Sequence, residues 1–287
     1  MHLILILLFT LYSTAVNATE VSITIEKDIY HYAQIILGDQ SVHDIKDFNH
    51  PLCQRDVVEF VLIQKALKLG GIDLKFNFHL GNYDARNIKL LINGLLLVGF
   101  DTIWLQTAKK YSSKLYISDP IIRKGEYVAG VYTKKNNLKA MKDKIDNGLS
   151  KVTFVSSSAW HADWHTLKAL KPKSLVDESD WIVMAKMVSR GWVDAMLVPF
   201  NNQIPFQYSG NGYSIEAING IKVPLQDSRH FAVSRSHPLA EQTFLALQSG
   251  IKKLRAQGFI EQAYRQCGFF NDTVNDWRAI LPQNTPE

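Results

Sequence analysis

Two histidines and an aspartate stand close together in the middle of the chain, as His161, Asp163 and His165. Histidines four residues apart share one face of a helix and can bind one metal ion there. A zinc protease of this pattern would carry a Glu directly after the first histidine, where this chain has Ala162. No third histidine follows nearby. We therefore expect ordinary surface histidines, with no metal and no cofactor.

Sequence motifs that carry a nucleophile or bind phosphate are missing from the chain. It contains no GxSxG, no GxxxxGKS or GxxxxGKT and no GxGxxG. Asp177, Glu178 and Asp180 form an acidic group, but they precede a predicted helix, whose dipole negative charge stabilises. The sequence therefore predicts a protein that is not an enzyme.

Polar and aromatic side chains follow several predicted strands, at points where the next helix begins. Backbone N–H groups are free at helix N-termini and attract anionic or polar groups. Two structural explanations compete with ligand binding: Ser158 could cap its helix, and Trp160 and Tyr111 could pack inside the protein. The candidate ligand-binding residues are Trp104, Gln106, Thr107, Tyr111, Ser156, Ser157, Ser158, Trp160, Phe200 and Asn201.

Strands and helices must alternate along the chain to position these residues. Val21, Ile23 and Ile25 alternate with polar residues, as in a half-buried strand. Strands separated by helices predict parallel sheets with helices on their faces. The first set of predicted elements is a strand at 21–25, a helix at 56–69 with Asp56 at its start, a strand at 72–78, a helix at 85–98 and a strand at 101–106.

A second, comparable set of elements follows the polar segment 134–137. Ser118-Asp119-Pro120 is expected to end an element before it. The second set comprises strands at 151–155, 192–198 and 231–234, helices at 159–170, 180–190, 238–257 and 259–267, and a loop at 199–220 with a short strand inside it.

The N-terminus has the pattern of a signal peptide. An apolar run at 3–11 precedes Val16 and Ala18, the small residues that a signal peptidase needs before its cut. The run is shorter than the ~20 residues of a membrane span, although an uncleaved anchor is the alternative. We expect residues 1–18 to be removed and the mature chain to be soluble and periplasmic.

Composition and charge favour a globular protein without a nucleic-acid partner. The chain has 287 residues and a formal net charge of +5, and its basic residues lie in short groups that resemble the solvated faces of helices. Nucleic-acid binding is the less favoured explanation, particularly in an exported protein.

Two cysteines, Cys53 and Cys267, lie near the two ends of the mature chain. They could form a disulfide in an oxidising compartment or remain as two thiols in apolar surroundings. The sequence leaves both alternatives open.

Short motifs in a fixed order carry a resemblance to a known family. The first half contains the Leu-rich segment 90–97, then Gly99-Phe100-Asp101, Thr107, Lys109-Lys110 and Ser118-Asp119-Pro120. The second half contains Gly191 followed by Asp194-Ala195, and the segment 254–260 ends with Gly258-Phe259-Ile260 before Tyr264. In this order the motifs resemble the family 3 extracellular solute-binding proteins, many of which are amino-acid receptors of transporters.

The resemblance implies a two-lobed α/β protein with the type 2 periplasmic-binding fold. Each lobe would be a central sheet flanked by helices, and a two-stranded hinge would join them. The first lobe would comprise 19–129 with 231–287 returning to it, and the second 130–230. This division puts both cysteines in the first lobe.

The implied function is capture of a small polar ligand between the lobes. A monomer would present it to a membrane permease of an ABC transporter. The alternative is a sensory module that acts on a membrane kinase or cyclase. An enzyme on the same scaffold is the less favoured possibility.

Two departures from the family concern the ligand. Amino-acid receptors of this family hold the ligand carboxylate with an Arg about nine residues before the Pro, where this chain has Tyr111. They hold the ligand ammonium with an acidic residue after the Asp-Ala strand, where this chain has Pro199-Phe200. The sequence therefore predicts a ligand other than a standard α-amino acid, bound by stacking and neutral hydrogen bonds.

Overall fold

The computed structural model describes residues 19–81, 86–210 and 212–281. The predicted signal peptide, residues 1–18, lies outside the described residues. Within the described ranges, no helix has both the length and the apolar character that crossing a bilayer requires.

The structure alternates strands and helices as the sequence predicts. The elements up to the first crossing between lobes are β1 Thr19–Glu26, α1 Lys27–Leu37, α2 Arg55–Leu69, β2 Leu74–Gly81, α3 Asn87–Ile92, β3 Ile103–Trp104, α4 Leu105–Lys110 and β4 Leu115–Ile122. The following elements are β5 Val128–Thr133, α5 Leu138–Asp146, β6 Thr153–Ser156, α6 His161–Ala169, β7 Ser174–Asp177, α7 Trp181–Arg190, β8 Met196–Pro199, β9 Gln207–Gly210 and β10 Tyr213–Pro224. The last elements are β11 Arg229–Ser234, α8 Ala240–Ala256, α9 Phe259–Gln266 and β12 Arg278–Ala279.

The strands form two groups, which we call the first and second lobes. In the first lobe β1 and β2 pair in parallel, and β11 pairs antiparallel with both β3 and β4. In the second lobe β6 and β7 pair in parallel, and the larger sheet has the order β12-β10-β5-β8 with β9 beside β10. The chain crosses between the lobes from β4 to β5 and from β10 to β11, and β12 returns it to the second lobe.

Helix α2 lies at the centre of the first lobe. It is buried on most sides, against α1, β2, α8 and α9. Its crossing with α8 depends on two glycines, because a Cβ on Gly250 would stand 1.8 Å from the Ala66 carbonyl oxygen, and one on Gly70 would stand 1.9 Å from that of Ala246. Only glycine allows the backbones to approach so closely.

A disulfide joins Cys53, just before α2, to Cys267, just after α9. Beside it, residues 201–203 of the second lobe contact the first lobe: the Asn202 side chain donates to the His50 carbonyl at 3.0 Å and Gln203 to that of Pro51 at 3.2 Å. Gly268 lies so close that a Cβ there would stand 2.3 Å from the Asn201 carbonyl carbon. We call these contacts the 201–203 seam.

Two predicted elements around the first-lobe motifs are wrong. The helix predicted over 85–98 ends at Ile92, because Gly94 adopts a left-handed φ of +73° and terminates it; Val98 instead bridges Val233 in an extended segment. The strand predicted over 101–106 shortens to Ile103–Trp104. Helix α4 starts early because the Asp227 carboxylate accepts the Gln106 N–H at 3.2 Å.

Two further local predictions are wrong, and so is the competing explanation that Ser158 caps its helix. The loop predicted over 199–220 contains β9 and most of β10, whose register shift between Ala217 and Lys222 disguises a long strand. Ser118-Asp119-Pro120 lies inside β4, where the Ser118 hydroxyl accepts the Phe231 N–H at 3.0 Å. Ser158 does not cap α6, which begins after Trp160 without a side-chain cap.

Candidate functional site

Glu59, on helix α2, has a fully buried carboxylate. It accepts hydrogen bonds from Arg55 at 2.6 Å, from the Thr102 N–H and hydroxyl at 2.8 and 2.7 Å, and from the Tyr264 hydroxyl at 3.1 Å. Burial by itself would raise the pKa of Glu59, but Arg55, Arg229 and the Thr102 hydrogen bonds lower it below its usual value.

Arg229, the first residue of β11, binds the other side of Thr102. Its Nε donates to the Thr102 hydroxyl at 2.8 Å and its Nη2 to the Thr102 carbonyl, while Nη2 lies 4.0 Å from the Asp101 carboxylate. The guanidinium stands 4.8 Å from the centre of the Trp104 ring, which in turn lies 5.1 Å from the Tyr127 ring. The first lobe thus presents an arginine and two aromatic rings together.

The second lobe contributes Asp163, from α6, and Tyr208, from β9. Asp163 is buried, and the charged groups acting on it are the guanidiniums of Arg229 and Arg55. Burial raises the pKa of Asp163 to about 6, because Arg229, the residue's own backbone N–H and Arg55 compensate only part of the lost hydration. Burial also raises the pKa of Tyr127, and the Asp163 charge raises it further.

These charged residues form one group at the interface of the lobes, which we call the charged cluster. Burial raises the pKa of Asp101 to about 7, and the nearby carboxylates of Glu59 and Asp56 add to the shift. The members of the charged cluster are Arg55, Asp56, Glu59, Asp101, Asp163 and Arg229.

Three acidic members of the cluster are close enough to share a cation. Carboxylate oxygens of Asp56, Glu59 and Asp101 lie within 4.8 Å of one another. Arg55 already forms ion pairs with both Asp56 and Glu59, so the arrangement is explained as an ion-pair network.

One polar contact joins the lobes at the α4 and α6 ends of the interface. Lys110 Nζ lies 2.6 Å from His161 Nε2. Burial lowers the pKa of His161 and the Lys110 charge lowers it further, which favours the neutral imidazole that can accept this hydrogen bond. Its ring lies 6.0 Å from that of His165.

Some of the ligand-binding residues predicted in the first lobe lie at this interface. Trp104 is buried against Arg229 and Tyr127, as described above. Gln106 has an exposed side chain, whereas the Thr107 hydroxyl is buried and has no hydrogen-bond partner among the described residues. Tyr111 lies elsewhere, at the end of α4, against the apolar group of Leu91, Leu96 and Leu115.

The predicted second-lobe residues are mostly engaged in local structure. Ser156 and Ser157 are buried, and the Ser158 N–H donates to the Asp177 carboxylate at 2.8 Å. Trp160 packs partly buried against the second-lobe core.

The last two predicted residues, Phe200 and Asn201, support the segment that follows β8. Phe200 packs against Phe206 and Trp277. The Asn201 side chain donates to the Gln207 carbonyl at 2.9 Å and accepts the Gln203 N–H at 3.1 Å.

The sequence analysis missed Arg55, Tyr127, Tyr208 and Arg229, and considered Asp163 only as part of a metal site. Asp101 was noticed only as a family motif. Arg55 and Arg229 are separated by 174 positions, so no local spacing joins them. Strand position gave no signal either, because Asp101 precedes β3 and Arg229 begins β11, whereas ligands bind at the carboxyl ends of parallel strands.

No protein-family model and no curated sequence matches the chain. Solved structures do resemble it. One is a periplasmic His/Glu/Gln/Arg/opine family-binding protein from Silicibacter pomeroyi in complex with lysine, with a TM-score of 0.57, 13% identity, and coverage of 88% of this chain and 98% of that chain.

Another is an amino acid ABC transporter substrate-binding protein from Streptococcus pneumoniae bound to L-arginine, with a TM-score of 0.56, 13% identity, and coverage of 86% and 93%. A third is the ancestral amino acid-binding protein AncCDT-1, a precursor of cyclohexadienyl dehydratase, with a TM-score of 0.53, 17% identity, and coverage of 87% and 95%.

Identities this low show the fold alone. All three structures are described as binding proteins, and one of them preceded an enzyme. The fold predicted from the sequence is thereby confirmed: this chain has the two-lobed type 2 periplasmic-binding fold.

Proposed function

We propose that the chain is an exported solute-binding protein that captures a small polar ligand between its lobes and presents it to a membrane transporter. One observation carries the proposal. Trp104, Tyr127 and Arg229 lie together in the first lobe, and α4, which directly follows Trp104, contacts α6 of the second lobe through Lys110 and His161. A ligand bound there would contact both lobes and favour the closed arrangement.

The boundaries predicted from the sequence, 19–129 with 231–287 for the first lobe and 130–230 for the second, need one adjustment, because β11 begins at Arg229 and pairs with β3 and β4. We therefore assign Arg229 and His230 to the first lobe. Two connections are consistent with this division. Strand β5 pairs with β8 and β10, whereas β11 pairs with β3 and β4. The pairing of β12 with β10 adds a third connection, in which the end of the chain supports the second lobe.

Export is part of the proposal. The pattern of residues 1–18 supports it, and the disulfide between Cys53 and Cys267 suits an oxidising compartment such as the periplasm. Delivery to a transporter and signalling to a membrane kinase both begin with the capture of a ligand. The first experiment therefore tests capture.

We would screen the oxidised chain 19–287 by thermal shift against amino acids, sugars, carboxylates, polyamines and divalent metals. A ligand at a hundredfold excess over its Kd adds about 2.7 kcal/mol to the free energy of unfolding. A panel that never shifts the melting temperature would overturn the proposal.

Trp104→Phe and Trp104→Ala then locate the site. Loss of the indole from the wall beside Arg229 should weaken binding by about tenfold or more, with the Phe variant intermediate. Trp192→Phe is the control, because Trp192 is 66% exposed. Titration calorimetry with the best probe measures the affinities, and melting curves confirm that each variant folds. Equal affinities for all variants would remove Trp104 from the site.

A further inference from the structure

The chain crosses between the lobes a third time after α9, and we call the crossing segment, residues 268–280, the C-terminal strap. Its beginning belongs to the core of the first lobe. Phe269 is buried there, and its ring centre lies 4.9 Å from that of Tyr127 and 5.2 Å from that of Tyr264. The disulfide at Cys267 directly precedes it. One end of the strap is therefore anchored in the first lobe.

The other end of the strap is anchored in the second lobe. Val274 is buried in the core of that lobe. The Trp277 ring packs edge-on against Phe200 and Phe206, with ring centres 5.3 and 5.7 Å away. Strand β12 then pairs in parallel with β10. Both side-chain packing and strand pairing therefore hold this end.

Lys222, on β10, also binds the strap. Its ammonium donates to the Val274 carbonyl at 2.8 Å and to the Asn275 carbonyl at 2.6 Å, and its own carbonyl accepts the Ile280 N–H at 2.8 Å. Asn271, earlier in the strap, donates to a carbonyl of the seam at 3.0 Å. The strap is thus attached to the second lobe along most of its length.

The part of the strap between the two cores is short. Four residues, 270–273, separate the buried Phe269 from the buried Val274, and residues 272–274 form a 3₁₀ turn. Such a turn rises about 2 Å per residue and an extended chain about 3.4 Å, so straightening three residues lengthens the crossing by about 4 Å. A larger separation would pull Phe269 or Val274 out of its core.

Space beside the strap leaves room for this straightening. A cavity of about 230 Å³ is lined by α9, by the strap and by Val128 and Phe200 of the second lobe. A segment packed closely on all sides would resist a change of shape. Because the cavity borders the crossing, the crossing can change shape while its two ends stay in place.

We propose that the C-terminal strap limits how far the lobes separate: it allows an opening that straightens the 272–274 turn and prevents a wider one. The limit acts on the protein without ligand, so this inference goes beyond the proposed function and is tested independently of it. Restricting the open state keeps a larger fraction of the molecules near the closed form. Closure around a ligand then costs less free energy.

Pulsed EPR distances between one label in each lobe measure the opening directly. The labels are attached to Ser113→Cys, just after α4, and to Ala169→Cys, at the end of α6, both of which are exposed positions. The two native cysteines are bonded to each other, so the introduced thiols are the ones that react. The labelled, oxidised and ligand-free chain 19–287 is the reference.

Insertion of Gly-Ser-Gly between Asp272 and Thr273 lengthens the crossing and leaves both anchors intact. The insertion adds up to about 10 Å of chain, so the mean distance between the labels should increase by about 5 Å or more and its distribution should broaden. The same insertion between Asp39 and Gln40, two exposed residues of the first lobe, is the control and should leave the distribution unchanged.

Trp277→Ala weakens the second-lobe anchor and should change the distance in the same direction. Trp192→Ala is its control, because it removes an exposed ring from the same lobe. Melting curves verify that each variant folds, and a role in stability alone would lower the melting temperature without changing the distances.

Unchanged distances in the folded insertion variant would overturn the inference, whatever its melting temperature, and so would an equal change in its control. If the insertion variant does not fold, unchanged distances in Trp277→Ala overturn the inference in the same way. Either result would leave the proposed capture of a ligand untouched, since the thermal-shift panel tests that separately.

Discussion

Glu59 and Asp163 show how differently two buried carboxylates of one site can be treated. Glu59 is fixed by Arg55, Thr102 and Tyr264, and its pKa falls below the usual value despite burial. Asp163 has only its own backbone N–H and the charges of Arg229 and Arg55 to compensate it, and burial dominates. The first residue therefore stabilises the first lobe, whereas the second costs stability as long as it stays ionised and unbound.

We expect Asp163→Asn to raise the free energy of unfolding of the ligand-free chain by about 1–3 kcal/mol near pH 7.5. The pKa of Asp163 is about 6 in the folded chain and 3.8 as the ordinary value, so the folded state binds the proton more tightly. The wild-type chain should thus gain stability relative to the variant as the pH falls through about 6 toward 4.

Urea unfolding of both chains at several pH values measures this difference. Asp143→Asn should show none of it, since Asp143 is exposed. A difference in stability that does not vary with pH would contradict the assignment.

At the scale of elements, the close crossing of α2 and α8 is the contact that tolerates least change. The two helices approach at Gly70 and Gly250, where each glycine faces a carbonyl of the other helix. This contact matters for the site because α2 carries Arg55, Asp56 and Glu59. A displaced α2 would move three members of the charged cluster.

Gly250→Ala should destabilise the chain by about 2–4 kcal/mol, although Ala favours helices, because its Cβ would stand 1.8 Å from the Ala66 carbonyl oxygen. Ser249→Ala, at the exposed neighbouring position, is the control and should be neutral or slightly stabilising. Chemical denaturation compares the two. Equal stability of the Gly250→Ala and wild-type chains would show that α8 can shift away from α2 at little cost.

Elements with a regular apolar pattern and clear end signals were predictable from the sequence. Helix α7, capped by Asp180 and ended by the left-handed Gly191, is one example, and the alternation of Ile23 and Ile25 in β1 is another. Apolar patterns failed where long-range pairing decided the structure, as at Val98, which bridges Val233. The charged cluster could not be predicted because its members come from four separate parts of the chain.

At the scale of the whole molecule, the disulfide joins residues 214 positions apart and so links the two ends of the first lobe. Cys53 lies two residues before Arg55. Cys267 lies four residues before Asn271, whose side chain donates to the carbonyl of the seam residue Asn201 at 3.0 Å. One covalent link thereby supports both the charged cluster and the 201–203 seam.

Replacing both cysteines by Ala should lower the free energy of unfolding by about 2–5 kcal/mol, since the bond restricts the unfolded chain. Thermal and urea unfolding measure the loss, and mild reduction of the wild-type chain should reproduce most of it. The double variant treated with the same reductant serves as the control and should not change further. A wild-type chain that is indifferent to reduction would contradict a structural role for the bond.

The lobes meet through two sets of contacts of unequal strength. At the 201–203 seam backbone lies against backbone, with side-chain amides of Asn202 and Gln203 bonded to the His50 and Pro51 carbonyls. At a separate contact, one side-chain pair among the described residues, Lys110 and His161, joins α4 to α6. We therefore expect the α4–α6 contact, held by one side-chain pair, to separate before the 201–203 seam when the lobes open, which would expose α6 and its Asp163 to solvent.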